Sequence, residues 1–220
     1  MCRKNRQNTK GEMNMPEIHE EDDVPREVTL MEAKLLTPDT WADFEAFFAR
    51  YHGVWGGCWC TFHLCSSSDF TRMTKDERRE YHRRRVLEGR ASGLLLYDRG
   101  EAIAWCQFGK AQDFERNNRN RAYKALALPE SLTPDWRITC LFVDRSCRKR
   151  GLMSALAEQT LKAITARGGG IVEAFPHIQP ENTRPAYTGT IRLYEKLGFE
   201  QVAQLGKSTL LMRKVIHNNA

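Results

Sequence analysis

No stretch of this sequence approaches the ~18 consecutive apolar residues of a membrane-spanning helix, so an ordinary membrane span is excluded. The first residues lack an apolar signal core, and secretion is therefore not expected. The seven cysteines lack the dense, regular spacing of a small secreted scaffold. They read as reduced thiols of a cytoplasmic protein. The formal net charge of +6 raises a nucleic-acid partner, but the basic clusters at 72–90, 110–124 and 145–150 lack the interleaved aromatics of a base-stacking surface. Neither nucleic acid nor membrane is expected as a partner on these grounds. A residual RNA-associated reading would require affinity that falls steeply with salt.

What is present is an ordinary globular composition, 41% apolar and 28% charged, over 220 residues. That suits one packed domain with tails rather than two large domains. Residues 1–26 are first basic, then acidic, without apolar periodicity, and are expected to be a disordered polar tail. Residues 27–216 are expected to form a single domain.

The alternation in Val28–Leu36 predicts a strand. Thr37-Pro38 then predicts the start of a helix that places Trp41, Phe44, Phe47 and Phe48 on one face. Between Gly53 and Cys65 the chain concentrates Trp55, Cys58, Trp59, Cys60, Phe62, His63 and Cys65. A zinc site on Cys58, Cys60, His63 and Cys65 is disfavoured, because structural sites join two separated ligand pairs and this spacing crowds all the ligands together. No metal is expected. Two readings remain: an aromatic, thiol-lined wall of a pocket, or plain core.

Thr74 with Glu77 predicts a capped helix running to Gly89, and Asp98-Arg99-Gly100 predicts a hairpin. Residues 110–134 read as a long basic loop with at most one helical turn.

The informative stretch is Trp136–Ser154. An apolar strand, Trp136–Val143, breaks at Asp144 into the turn Arg145-Ser146-Cys147-Arg148-Lys149-Arg150-Gly151, and a helix follows. A tight turn that delivers free backbone N–H groups and cations to a helix N-terminus is an anion site. Gly168-Gly169-Gly170 ends that helix. The strand Ile171–Pro176 follows and should pair in parallel with the earlier one. A short helix from Gly189 to Leu197 and a final hairpin around Gly206 complete the chain.

Arg148-Lys149-Arg150-Gly151-Leu152-Met153 resembles the Gln/Arg-x-x-Gly-x-Gly/Ala phosphate motif of the GCN5-related N-acetyltransferase (GNAT) superfamily, with methionine at its last position. Leu193-Tyr194-Glu195-Lys196-Leu197-Gly198-Phe199 looks like that family's Tyr-Glu-Lys-x-Gly-Phe ending. Where family members often carry asparagine and alanine before the tyrosine, this chain has Tyr187 and Thr190. The resemblance implies an α/β fold, a GNAT-like mixed central sheet of about six to seven strands flanked by about four helices.

It also implies acetyl-CoA as cosubstrate and an amine-bearing acceptor on a small molecule or peptide. Assembly as a homodimer is compatible with it. Leu141, Phe142 and Val143 would hold the pantetheine arm, while Arg148, Lys149, Arg150, Gly151, Leu152 and Met153 would bind the pyrophosphate. Tyr194 would protonate or hydrogen-bond the leaving thiolate. Glu173 is the first candidate for the base, followed by His177 and Asp144. A non-catalytic acyl-CoA-binding module of the same fold is the alternative, and a ping-pong route through Cys140 or Cys147 is the less simple chemistry.

Overall fold

The computed structural model describes residues 31–178 and 187–217. The expected tail at 1–26 and the first part of the Asn182–Thr188 loop lie outside these residues. The described chain forms one seven-stranded sheet in the order β1-β2-β3-β4-β5-β7-β6. Its strands are β1 (Glu32–Leu35), β2 (Gly93–Asp98), β3 (Glu101–Lys110), β4 (Trp136–Val143), β5 (Gly170–Ala174), β6 (Glu200–Leu205) and β7 (Thr209–Ile216). Only the β4–β5 pair is parallel, as a helical crossover requires. The three longest helices are α1 (Trp41–Ala49), α3 (Lys75–Leu87) and α6 (Leu152–Thr165). Shorter ones are α2 (Ser67–Arg72), α4 (Glu115–Asn118), α5 (Arg121–Lys124) and α7 (Ile191–Lys196). Among the described residues no helix is long and apolar enough to cross a membrane.

The sheet separates two apolar layers. On one face α6 and α7 pack Leu152, Leu156, Ile164 and Tyr194 against Ile138, Leu141 and Val143. On the other, Trp41, Phe44, Phe47 and Phe48 of α1 pack against Trp59, Trp105 and Phe142. α3 opens with the predicted capping box of Thr74 and Glu77. α1 starts later than its sequence suggests: Thr40, not Thr37, precedes its first turn, and its hydroxyl donates to the Leu35 carbonyl at 2.7 Å. The stretch at 110–134 is also more ordered than expected. Asn120 caps α5 by accepting from the Tyr123 amide, and the segment lies over the end of the sheet.

His82 of α3 sits wholly inside the aromatic layer, edge-on to Trp41 and Phe44. Its Nδ1–H donates to the Trp59 carbonyl at 2.8 Å, and its Nε2 is buried without a partner. Burial disfavours the charged ring and lowers its pKa from 6.5 to about 4. The sign follows from linkage. Above pH 6.5 neither state is protonated and the stabilisation is complete, whereas between 6.5 and about 4 the unfolded chain takes the proton first and stability is lost. The lowered pKa corresponds to about 3 kcal/mol for such a buried ring. In urea titrations from pH 7 to 4, His82→Phe should flatten the acid loss by about one proton, about 1.4 kcal/mol per pH unit. An unchanged slope would contradict this account.

Candidate active site

A break in the sheet makes the site. β4 and β5 pair from Trp136↔Val172 to Ile138↔Ala174 and then part. Two local causes coincide there. Pro176 follows β5 closely and has no N–H to continue the ladder. In β4, Gln107 faces Cys140 and Phe108 faces Ile138, so Thr139 is an unopposed, bulged residue. Thr139 and Cys140 consequently line the same cavity. Thr139 Oγ1 donates to Gln107 Oε1 at 2.9 Å, and Gln107 Nε2 donates to the Cys60 carbonyl at 2.6 Å, which pins the bulge to the wall opposite.

Beyond the bulge, one edge of β4 faces the gap. The Leu141 amide points into it and donates to the Tyr187 carbonyl at 2.6 Å. Val143, two residues on, presents its backbone the same way, since Asp144 turns back to Ile103.

A cavity of about 390 Å³ opens along this edge, lined by Leu141, Phe142, Val143, Arg148, Lys149, Gly151, Leu152 and Met153, with Cys147, Ser154 and Tyr187. Thus eight of the nine residues expected to hold the cofactor surround one space. Arg150 does not; its Nη1 lies 3.9 Å from Asp98 Oδ2, toward the end of β2. The turn is left-handed at both Lys149 (φ 64°) and Gly151 (φ 73°). The first helical bonds, from Ser154 and Ala155 to the Gly151 carbonyl, leave the preceding amides at the helix N-terminus unspent. A Cβ on Gly151 would meet nothing within 4 Å, so the backbone is bare toward the cavity. Free amides, a helix N-terminus and nearby cations fit a pyrophosphate. Met153 turns partly into the α6 layer rather than blocking the turn.

Tyr194 is fully buried in α7, and its hydroxyl donates to the Thr188 carbonyl at 3.0 Å. Burial, with Cys106 and Cys140 nearby, pushes its pKa well above the ordinary value, so the phenol keeps its proton. Gly189 is what allows the approach: a Cβ there would stand 2.7 Å from the Tyr194 ring and 2.9 Å from Leu141.

A second cavity of about 820 Å³ lies on the aromatic side of β4 and includes Cys58, Cys60, His63, Cys140, His177 and Tyr187. Tyr187 lines both cavities and, bonded to Leu141, stands between them beside β4. The Gly53–Cys65 stretch is therefore both core and pocket wall. Burial raises the Cys58 thiol to about 12 and Cys60 well above its ordinary value, which leaves these thiols protonated and poor nucleophiles. Trp105 Nε1–H donates to Cys60 Sγ at 2.9 Å.

Glu173 is not placed as a base. It is 0% exposed, and register sets it between Arg137 of β4 and Arg213 of β7. Its Oε2 accepts from Arg137 Nε at 3.0 Å. Its Oε1 accepts from Arg213 Nη2 at 2.6 Å and Tyr123 Oη at 2.9 Å. A carboxylate so enclosed has no lone pair that an incoming amine can reach. Asp144 is similarly engaged. Burial alone would raise its pKa, but hydrogen bonds from Tyr51 and Ser146 and the charge of Arg50 hold it below the ordinary value.

Two imidazoles do face the larger cavity. His177 donates from Nδ1 to the Ser208 carbonyl at 3.1 Å. His63 Nδ1 lies 2.9 Å from Asn117 Oδ1, so the proton sits on Nδ1 and Nε2 is left as an acceptor. Burial lowers His63 to about 4, with Arg116, His177 and Arg137 adding to the effect, and the ring is neutral at pH 7. The pocket-wall reading of Gly53–Cys65 covers His63, whereas Tyr187 stands out in the sequence only as a departure from a motif. Tyr187 carries no local pattern that marks a cavity wall.

Residues 39–199 match the model of the acetyltransferase (GNAT) family. No curated protein matches the chain in sequence. Among solved structures, an acetyltransferase of the GNAT family from Streptococcus pneumoniae superposes with a TM-score of 0.50 at 16% identity, covering 84% of this chain and 99% of that one. A ribosomal-protein-alanine N-acetyltransferase from Brucella melitensis gives 0.50 at 14% identity, covering 84% and 99%. At such identities the likeness speaks for the fold.

Proposed function

The chain belongs to the acetyltransferase (GNAT) family, and from that premise we propose that it moves an acetyl group from acetyl-CoA directly to a primary amine of a small molecule or peptide. The observation that carries this reading is that two cavities adjoin one strand, with Tyr187 common to both. That arrangement suits a donor and an acceptor bound together, which direct transfer needs.

Acetyl-CoA supplies an activated acyl carbon. The amides of the Arg148–Met153 turn would hold its pyrophosphate, with Arg148 and Lys149 adding charge. The Leu141 and Val143 backbone would hold the pantetheine arm, and the Leu141 N–H, now spent on Tyr187, is the nearest candidate for oxyanion stabilisation. Tyr194 would offer its phenolic proton to the departing sulfur, giving up its bond to Thr188.

No strong base is required of the chain. The larger cavity is lined by Arg116 and Arg119, and a positive surrounding disfavours the ammonium form of a bound amine. His63 Nε2 and His177, which line that cavity, would accept its hydrogen bond.

Tyr194→Phe should lower kcat about 10- to 100-fold and leave the KM for acetyl-CoA nearly unchanged, by steady-state assay of CoA release. Undiminished turnover would remove Tyr194 from the chemistry. The test of the function itself is calorimetric titration with acetyl-CoA, followed by a mass-spectrometric screen of amines for acetyl gain. Binding with no acetylated amine and no free CoA would leave only an acyl-CoA-binding module.

A further inference from the structure

We infer that the acceptor bears an anionic group as well as its amine, a carboxylate or similar acid on an apolar body, seated against Arg116. This rests on the acetyl-transfer reading above and names the class of its second substrate.

The larger cavity, about 820 Å³, is of the size that encloses a small molecule. Among its described lining residues there is no aspartate or glutamate, while two arginines contribute. Arg119 is neutralised locally by Glu115 at 2.9 Å. Arg116 is not: among the described residues no carboxylate pairs with it, although it is half-buried.

The Arg116 side chain is nonetheless fixed. Its Nε donates to the Phe62 carbonyl, its Nη1 to Ser67 Oγ at 2.6 Å and its Nη2 to the Ser66 carbonyl at 3.4 Å. The guanidinium stacks over the Phe62 ring at 3.8 Å. These bonds spend three of its five N–H groups. A partly desolvated, oriented guanidinium with free donors and no counter-ion is matched by a carboxylate or phosphate. Burial accordingly makes its charge harder to hold than usual.

A second observation comes from the reacting end. Thr188 Oγ1 belongs to the cavity lining, is buried, and has no hydrogen-bond partner among the described residues. Its own carbonyl takes the Tyr194 hydroxyl, so this orphan lies beside the expected transfer point. A polar acceptor group there would satisfy it. Trp55, Phe62, Phe175 and Leu205 supply the apolar wall between. Polyamines and basic peptides find no carboxylate among the described residues that line the cavity and meet like charge at Arg116.

The test uses products, so that binding is read even without turnover. The full-length protein saturated with CoA is titrated calorimetrically with a set of N-acetylated amino acids bearing apolar, aromatic or acidic side chains, with their primary amides, and with N-acetylspermidine. At least one acid should bind 10-fold or more tightly than its amide and than the polyamine, with a preference that falls as salt rises. Arg116→Gln should erase that preference while acetyl-CoA affinity is kept. Arg116→Lys, which keeps the charge without the fork, should retain part of it and covers the case in which Arg116→Gln does not fold. The inference is overturned if amides bind as well as acids, if the polyamine binds best, if no acid binds, or if both Arg116 variants keep the full preference. Failure of acetyl-CoA to bind would instead sink the acetyl-transfer reading. Acetylation of neutral or cationic amines alone would sink only the anion.

Discussion

Replacing Glu173 by glutamine is expected to cost the fold about 3–5 kcal/mol while leaving the turnover of correctly folded protein within a few-fold of normal. The reason is the row of charge that crosses the sheet. Arg137, Glu173 and Arg213 stand opposite one another on β4, β5 and β7, and each is 9% exposed or less. Arg137 further donates from Nη1 to the Ala111 carbonyl at 3.0 Å and to Asn118, while Tyr123 closes the cluster from above. Removing the one anion strands two buried guanidiniums in a medium that cannot solvate them. For a domain of this size that loss should appear as a fall in melting temperature of about 6–20 °C. Denaturant titration and kcat measured well below the transition separate this from a catalytic role. A glutamine variant of normal stability with abolished turnover would restore Glu173 to the chemistry.

The second large effect belongs to the phosphate turn. Gly151→Glu should weaken acetyl-CoA binding at least 100-fold by calorimetry. The added side chain starts in open space at a residue that lines the smaller cavity, where the pyrophosphate is proposed to bind. A like charge at ~5 Å, at an effective dielectric of about 20, opposes binding by about 3 kcal/mol. The left-handed backbone at Gly151 adds a conformational cost of about 1–2 kcal/mol to any residue with a Cβ, so the melting temperature should fall by only a few degrees. Gly151→Ala isolates that backbone cost and should bind acetyl-CoA nearly as well as the parent. Equal binding by the glutamate variant would mean that the donor does not use this turn.

Much of this was legible in the chain because the informative features are local. The basic turn, Gly151 and the start of α6 are consecutive, and the Tyr194 helix ends at Gly198 as its residues require. The capping box of α3 needs only Thr74 and Glu77. Glu173 failed for a non-local reason. Its strand was read correctly, but its neighbours come from Arg137 in one direction and Arg213 in the other, with Tyr123 from a stretch that carries no helical period. The contacts of Arg116 and His63 were hidden in the same way. They form only because residues 115–118 fold back onto the Gly53–Cys65 loop, where Arg116 bonds Phe62 and Asn117 bonds His63. Arg150 had the right charge at the right place in the motif, yet three consecutive cations cannot all face one ligand.

The bulge at Thr139 has a further consequence that concerns counting rather than chemistry. It is the extra residue that lets Ile138 and Leu141 share the α6 side while Cys140 and Phe142 look the other way. A chain shortened by that one residue would still spell every motif. Its Cys140 would still stand opposite Gln107 and its Ile138 opposite Phe108, now as neighbours in a regular ladder, so every side chain would keep its face. What would go is the local kink, together with the hydroxyl that ties β4 to Gln107. The inserted residue thus sets where the strand bends while the alternation on either side of it stays whole, and a substitution scan that keeps the length leaves that count untouched.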